Sequence, residues 1–547
     1  MNMIKIKTHS ERKQHKLWLL LVLPALFLSC HKMKVEPVEV YPEPPSALVK
    51  FLDGNPNPAI GAEGSEVVFK VEGLNGKIGQ FEFFINQIKA EVLSVTENTV
   101  TVKVPVNAST GGSSILINEE YYFGPTFRVR GKVSIDPTFN TDTYRSNGPI
   151  FEMTSWDDSH YLISGRFTDY QKQATQTVKV PGMALITKTD LGFKGAGAIT
   201  SQFNVGKDGI GGGIITTVIP VEDNKYLIAG AFNKYDTISN INNITRINSN
   251  GTVDSMKVEV VGIPPLDKAV VPSFNGGVLG NAGNVFYNDD TKEVTLIGNF
   301  FGHVSTFYER SSVDGPFLDF VTAKSLLRMK GDGSYDSSFN YNRATNESYA
   351  GPNGSIYDAV QLDNGNIIAA GNFTSFHGLT ANYIVRINGT DGSVDQTFTA
   401  SADGPINRII QNEVTGNIMV SGNFKNFNGQ PANGVVMINS DGMLNAGFKF
   451  AEIDGVANFA GQLDNGKIIV SGTFNKYGDI VRVGMAILNL DGTLAVGYNN
   501  TGLFRGQINN FVETISSTGV PAVILFGSFD RFDNKEVGNI VKFRMEN

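Results

Sequence analysis

The sequence predicts an all-β protein in which a small β-sandwich precedes a seven-bladed β-propeller closed by an N-terminal strand. Three observations predict it: period-2 alternation of apolar residues before residue 130, an apolar-Gly-x-Phe string repeated seven times, and repeat tails one step out of phase with the heads. No long stretch carries a 3.6-residue period. Glycine is abundant (60 residues), and turn signals punctuate the chain throughout, as β-structure requires.

The sandwich comes first, over residues 46–130. Val67, Phe69 and Val71 alternate with Val68, Lys70 and Glu72, and Val100, Val102 and Val104 alternate with Thr101 and Lys103. Such strands bury one face, so two stacked antiparallel sheets are expected. The order GAEGSEVVFKVEGLNG, FEFFINQIKAEVLSVTENTVTVKVPVNASTGG, SSILINEEYYFGPTFRV resembles the immunoglobulin-like IPT/TIG domain over some 80 residues. That resemblance implies a spacer or interaction module.

Residues 131–547 repeat. The heads are YLISGRF, YLIAGAF, VTLIGNF, IIAAGNF, IMVSGNF, IIVSGTF and VILFGSF, with glycines at 165, 230, 298, 371, 422, 472 and 527. Apolar residues on both faces mark strands buried on both sides, and a glycine within them admits close approach of another backbone. A second glycine opens an apolar run before each head, and a strand–turn–strand such as YIVRINGTDGSVDQTF follows it. Each unit therefore offers four strands, which reads as a propeller blade; a β-solenoid is the rival. Tails resembling D-x-x-F decide between them. The first, Asp136–Phe139, precedes the first head, while the last unit ends IVKFRMEN without a tail. In a closed ring the early strand completes the last blade and removes two open edges. The strings N-x-D-G-S-x-D-x-x-F and apolar-G-x-F resemble the delta-60-type β-propeller repeat of bacterial surface and secreted proteins.

The N-terminus carries a different message. Lys5, Lys7, Arg12, Lys13 and Lys16 precede a twelve-residue apolar run, Leu17 to Leu28, and then Ser29 and Cys30. This is the pattern of a secretory signal, residues 1–29, too short to span a bilayer. Cys30 is the only cysteine, so no internal disulfide can form. FLSC resembles a bacterial lipobox, which implies lipidation at Cys30; a free thiol after ordinary cleavage is the alternative. Residues 30–45 contain Pro37, Pro42, Pro44 and Pro45 and read as a semi-rigid stalk. Lipobox, IPT/TIG-like domain and propeller together resemble lipoproteins of unknown function of gut Bacteroidetes, which implies an outer-membrane location, with the cell surface as one orientation. Removing residues 1–29 takes five basic residues and one acid and moves the formal charge from -8 to -12. So acidic a body argues against nucleic acid as a partner, and leaves the lipid alone to hold the membrane.

Catalytic signatures are thin. HExxH, GxSxG and P-loop strings are absent, and no cofactor or metal is expected. His160, His303 and His377 fall in three different units and read as structural or surface residues. DGSYD and DGSVD lack the closing Glu of an EF-hand and read as hairpin turns. The first strand of each blade lines the propeller channel. Four residues past each leading glycine stand Glu152, Thr216, Gly280, Asp358, Arg408, Phe459 and Asn510. Glu152, Asp358 and Arg408 make a candidate polar constellation, either solvating the channel or supplying the paired carboxylates of a glycan-cleaving enzyme.

Binding fits the sequence better. The third unit carries two departures, residues 255–275 and 302–320, and insertions into regular blades become surface loops. Phe307, Tyr308 and Arg310 combine ring faces with charge, suited to stacking on sugars or peptides, or else to packing the loop. Trp156 is a further candidate platform beside Asp157 and Asp158. The expected protein is a non-catalytic recognition head for a glycan or an envelope protein of an uptake system.

Overall fold

The computed structural model describes residues 49–174, 180, 182–194, 205–206, 213–235, 238–239, 241–262, 267–312 and 315–546. Cys30, the signal run and the whole stalk fall outside the described residues. Strands dominate; the helices among the described residues are two single 3-10 turns, Glu222–Asn224 and Tyr308–Arg310.

The N-terminal unit corrects one expectation. Its eight strands hydrogen-bond in one continuous order: Lys50–Phe51, Glu66–Glu72, Thr99–Lys103, Ile88–Val95, Glu82–Ile85, Gly111–Ile117, Glu120–Arg130 and Ile60–Ala62. One bent sheet, not two separate ones, wraps the core. The reason lies in Ile88–Val95. Its first residues pair with Glu82–Ile85, and from Glu91 onward it pairs with Thr99–Lys103, bulging between Val92 and Ser94. A strand that changes partner midway turns a corner and joins the two halves. The alternating residues point inward as their period demands: Val67, Phe69, Val71, Phe83 and Phe127 are all buried. Phe69 packs on Phe83 and Phe127 with ring centroids 4.8 and 6.0 Å apart.

The rest of the described chain is a β-propeller. Each apolar-Gly-x-Phe head is the middle strand of a sheet, flanked by the glycine-led run and by the first arm of the following turn. In the fourth sheet, for example, Ile367–Asn372 lies between Ser355–Gln361 and Ile384–Ile387. Side chains on or beside the inner and head strands tie successive sheets together. Thr154 donates to Val218 O, Thr216 to Ala282 O, Asn299 to Ile356 O, and Asn412 to Gln462 O, at 2.8–3.1 Å. Asp464 N donates to Glu513, and Asn509 returns the circuit to the first sheet through Ile150 O at 2.7 Å. Val133–Ile135 pairs antiparallel with Ile540–Met545, the last strand of the chain.

The heads' glycines have a steric cause. A Cβ on Gly165, Gly230, Gly371, Gly422 or Gly472 would stand 1.9–2.4 Å from a carbonyl oxygen of the inner strand. The inner strand bulges at that point, between Ile150 and Glu152, Ile356 and Asp358, Ile406 and Arg408, and their counterparts. Bulge and glycine press the two strands together and re-aim the residues that follow. Each phenylalanine two residues on is buried between layers, as with Phe373 and Phe474.

The four-strand unit is also corrected. In six of the units the fourth arm is reduced to a single bridge, such as Met329 to Tyr335 or Ile387 to Val394, while in the last sheet Val133–Ile135 keeps a three-residue ladder. The tail aspartate explains it. Asp336 and Asp395 each accept the backbone N–H two residues on at 2.9 Å, a local turn that competes with the ladder. Each also pairs with an arginine of the third strand, Arg328 at 2.6 Å and Arg386 at 2.8 Å. The chain therefore leaves the sheet after one bridge and buries Phe339 or Phe398 instead.

Candidate functional site

Two cavities concentrate the polar and exposed residues. The first lies where the inner strands converge and has a volume of about 640 Å³. Glu152, Asp358, Arg408 and Asn510 all line it, from four different sheets. Thr216 and Gly280 do not; Thr217 and Asn284 stand in their place. Counting from the leading glycine misplaced both. Gly230 pairs with Ile215, so the residue past the bulge is Thr217. In the third sheet the register slips twice, and Asn284 pairs with Ile297 beside the head glycine. Phe459 turns into the apolar core instead.

Asp358 is buried and fully engaged. Its Oδ1 accepts from Asn284 Nδ2 at 3.1 Å and from Ala359 N at 3.0 Å; its Oδ2 accepts from Ile409 N at 3.0 Å. The Arg408 guanidinium completes the shell, with Nε 3.3 Å from Oδ2. Asp358 thereby joins three sheets. Glu152 differs. It is half-buried, and its hydrogen bond is to the N–H of Met153, its own neighbour, at 3.2 Å. Burial, with a smaller push from the Asp358 charge, raises its carboxyl to about 7 against the lowering effects of Met153 N–H and Arg408. Asp358 is thus held as a structural carboxylate, while Asp289, Asp363 and Glu413 line the same cavity.

The second cavity, also about 640 Å³, lies between the second and third units. Tyr235, Ile238, Ser239, Thr252 and Val253 line one side, and both departures from the repeat line the other. Ser255–Val260 and Asp267–Pro272 form a hairpin. The head strand, Val294–Thr306, runs past its glycine, and its last five residues pair with Leu318–Thr322. The two hairpins are stitched by Val261 N to Ser311 O at 2.7 Å and by Thr306 N to Asn275 Oδ1 at 2.8 Å. Tyr308, Ser239, Thr252 and Ser311 bring hydroxyls to the cavity. Burial raises the Tyr308 phenol to about 12, so it stays a neutral donor. Val270 of its wall is exposed, and Val261, Phe301, Phe317 and Phe320 are exposed elsewhere on the third unit. Arg310 lies over the Phe307 and Phe317 rings, 5.2 and 5.8 Å from their centroids. Of the residues singled out in the sequence, Tyr308 lines this cavity, while Phe307 and Arg310 pack with Phe317 beside it in sequence.

Trp156 is withdrawn from the surface. Its ring is buried and stacks on Tyr226 at 4.1 Å, while the Tyr226 hydroxyl donates to Trp156 O at 2.6 Å. An indole flush between two sheets has no face left for a ligand. The histidines are placed structurally. His303 is buried 3.0 Å from Gly333 O. His377 accepts from Gly351 N through Nδ1 and holds Gly392 O through Nε2. Burial lowers both imidazoles below their ordinary value. His160 contacts Asp157 at 2.7 Å in an outer turn, apart from both cavities. Among the described residues no group of three or more His, Cys, Asp or Glu is arranged to hold a metal ion.

The chain matches two protein families. Residues 222–255, 362–398, 415–448 and 463–494 match the domain of unknown function DUF5122 beta-propeller, and residues 44–125 match the domain of unknown function DUF5008. No curated protein matches the chain. Among solved structures, it is similar to the WD40 beta propeller domain of Doa1 at 14% identity, covering 76% of this chain and 98% of that one, with a TM-score of 0.37. A protein of unknown function from Bacteroides thetaiotaomicron is similar at 12% identity over 92% and 99% of the two chains, with a TM-score of 0.29. An auxiliary nutrient binding protein from the same species is similar at 12% identity over 90% and 97%, with a TM-score of 0.30. The four repeats matched fall in the second, fourth, fifth and sixth sheets, where the turn glycines Gly251, Gly392, Gly442 and Gly492 hold a positive φ.

Proposed function

We propose that this protein is a non-catalytic, lipid-anchored binding protein of the outer membrane. Cys30 carries the lipid, residues 30–45 form the stalk, residues 46–130 act as an immunoglobulin-like spacer, and a seven-bladed propeller closed by the 133–135 strand presents the recognition face. The ligand is a glycan held on the third sheet. One observation carries this reading: the two insertions and the second unit together line a cavity with hydroxyls, and the Phe307, Arg310 and Phe317 cluster is next in sequence to its lining residues Tyr308, Ser311 and Pro316. Hydroxyl donors within and aromatic faces around are the combination that pyranose rings require. A glycan array probed with purified residues 46–547 tests it. Saturable binding that Phe307→Ala and Arg310→Ala weaken supports the reading; hydrolysis of a bound glycan, or no binding at all, overturns it.

A second reading takes an envelope protein as the partner. It is favoured by the apolar character of the third unit's surface, where Val261, Val270 and Phe301 are each more than half exposed. Crosslinking in intact cells, from a photoreactive residue placed at position 301, separates the two. Release of the protein from membranes by Cys30→Ala tests the anchor.

A further inference from the structure

We propose that the N-terminal unit carries a glycan-binding face of its own, apart from the third-unit cavity, and that it takes an uncharged polysaccharide chain on the rings of Phe84, Tyr121 and Phe123. A register slip creates this face. Tyr121 and Phe123 share odd numbering with Phe127 and Val129, so unbroken alternation along Glu120–Arg130 would turn all four into the core. Gly112 pairs with Thr126, but Ser114 pairs with Phe123, so one extra residue bulges from the strand between them. Bulges re-aim the side chains that follow. Phe127 and Val129 stay buried, whereas Tyr121 is 54% and Phe123 81% exposed, the latter the highest of any large apolar side chain among the described residues. Tyr122 takes the inward place between them and packs on the core. Ser113 Oγ holds the bulge by donating to Pro125 O at 2.8 Å. The backbone itself therefore sends two rings to solvent.

The rings form a row across the sheet. Ser114 pairs with Phe84 on one side and Phe123 on the other, and Leu116 pairs with Glu82 and Tyr121, so all share the outer face. Tyr121 and Phe123 lie parallel within 16° at 6.3 Å, and Phe84 joins Tyr121 at 6.2 Å. Beside the row opens a cavity of about 570 Å³, which has Glu82, Leu116 and Lys89 in common with this face. Gln80, Glu91 and Asn118 line it too, and their side chains make no hydrogen bond or ion pair among the described residues. Ring faces accept the C–H face of a pyranose, while free amides and a free carboxylate accept its hydroxyls. Charge narrows the ligand. The cavity holds Glu82 and Glu91 against Lys89, and Lys89 is already paired with Glu82. Glu91 is left over, so an acidic glycan would meet an unmatched negative charge. A neutral chain meets no such penalty.

Calorimetric titration of the full chain with xyloglucan, galactomannan and laminarin tests the face, with hyaluronan as the acidic probe and casein as an extended polypeptide. Saturable binding of at least one of the three neutral polysaccharides is expected, with hyaluronan weaker. Phe123→Ala and Tyr121→Ala should each weaken it about tenfold with melting temperature unchanged, because both rings lie outside the core. Tyr121→Trp should keep the binding and add an indole at this face, whose emission shifts as the polysaccharide is added. Phe307→Ala should leave this binding unchanged, so the two glycan readings fail separately. Binding lost with Phe307→Ala and kept with Phe123→Ala would uphold the third-unit site and overturn this one. No binding of a neutral polysaccharide, binding of hyaluronan or casein in its place, or a Tyr121→Trp emission indifferent to bound polysaccharide would each overturn the proposal as well.

Discussion

Asp358 Oδ2 stands 3.3 Å from Arg408 Nε across the joint between the fourth and fifth sheets, and the same carboxylate holds Asn284 of the third. One buried side chain therefore joins three sheets around the cavity. Removing it strands the Arg408 charge and leaves Ile409 N without its acceptor. Asp358→Ala should cost about 3–5 kcal/mol, the range for breaking a buried ion pair. Asp358→Asn should cost less, since one carbonyl oxygen remains to accept. Urea unfolding of both variants checks the order.

Glycine at two kinds of position should respond differently to alanine. At Gly472 a Cβ would meet Val456 O at 1.9 Å, and neither strand has room to retreat. Gly472→Ala should cost about 3 kcal/mol or more, at the upper end of overpacking losses. Gly429 lies in a surface turn with φ at 74° and nothing within 4 Å of a Cβ. Gly429→Ala should cost only the left-handed strain, roughly 1 kcal/mol. Thermal melts of the pair distinguish contact from conformation.

Glu152 should leave a mark on stability. Its carboxyl is raised to about 7 in the folded protein, so the folded state holds this proton more tightly than the unfolded chain does. Its contribution is therefore most favourable below the ordinary carboxylate range and is lost as pH rises through about 7. Glu152→Gln should be more stable than the native chain at about pH 8, by an upper bound on the order of 3 kcal/mol, and the gap should close toward about pH 4. Denaturation across that range reads the difference directly.

The repeat pattern made the propeller legible because its marks are local: each glycine answers a carbonyl one strand away, and each tail aspartate answers its own backbone. Period-2 runs likewise revealed which face of the first unit is buried. What stayed hidden depends on register. Bulges opposite the head glycines, doubled in the third sheet, moved Asn284 into the cavity and Gly280 out of it. The partner change within Ile88–Val95 is equally silent, because its alternation reads the same on either side of the switch. Trp156 misled for another reason: its partner Tyr226 comes from the next sheet, seventy residues on, and no local spacing announces it.

At the third sheet, Arg310 lies over both Phe307 and Phe317, and all three reside in one insertion. Removing the guanidinium should let the rings collapse together, while removing a ring should expose the charge. Arg310→Ala and Phe317→Ala should each weaken ligand binding about tenfold with melting temperature nearly unchanged, because the insertion packs outside the sheet cores. Titration with the ligand found on the array measures the first quantity and calorimetric melting the second.

Arg482 fixes the N-terminal unit to the propeller. Both terminal nitrogens of its side chain donate to Asn107 O at 3.1 Å, and Nη1 also reaches Val481 O at 2.6 Å. The side chain is buried, and burial lowers the guanidinium to about 10, with Glu63 opposing that shift. Asn500 reinforces the joint, donating to Val129 O and Val133 O and accepting from Val133 N. Arg482→Met keeps much of the volume but leaves Asn107 O without its donors, a loss of about 1–3 kcal/mol for an unsatisfied buried acceptor. The cost should fall on the joint and not on either core. Hydrogen exchange should quicken at Thr110 N, which is bonded to Asn500 O across the joint, while Val67 to Val71 and the head strands keep their protection. Uniform loss of protection through both units would show instead that Arg482 supports the fold as a whole.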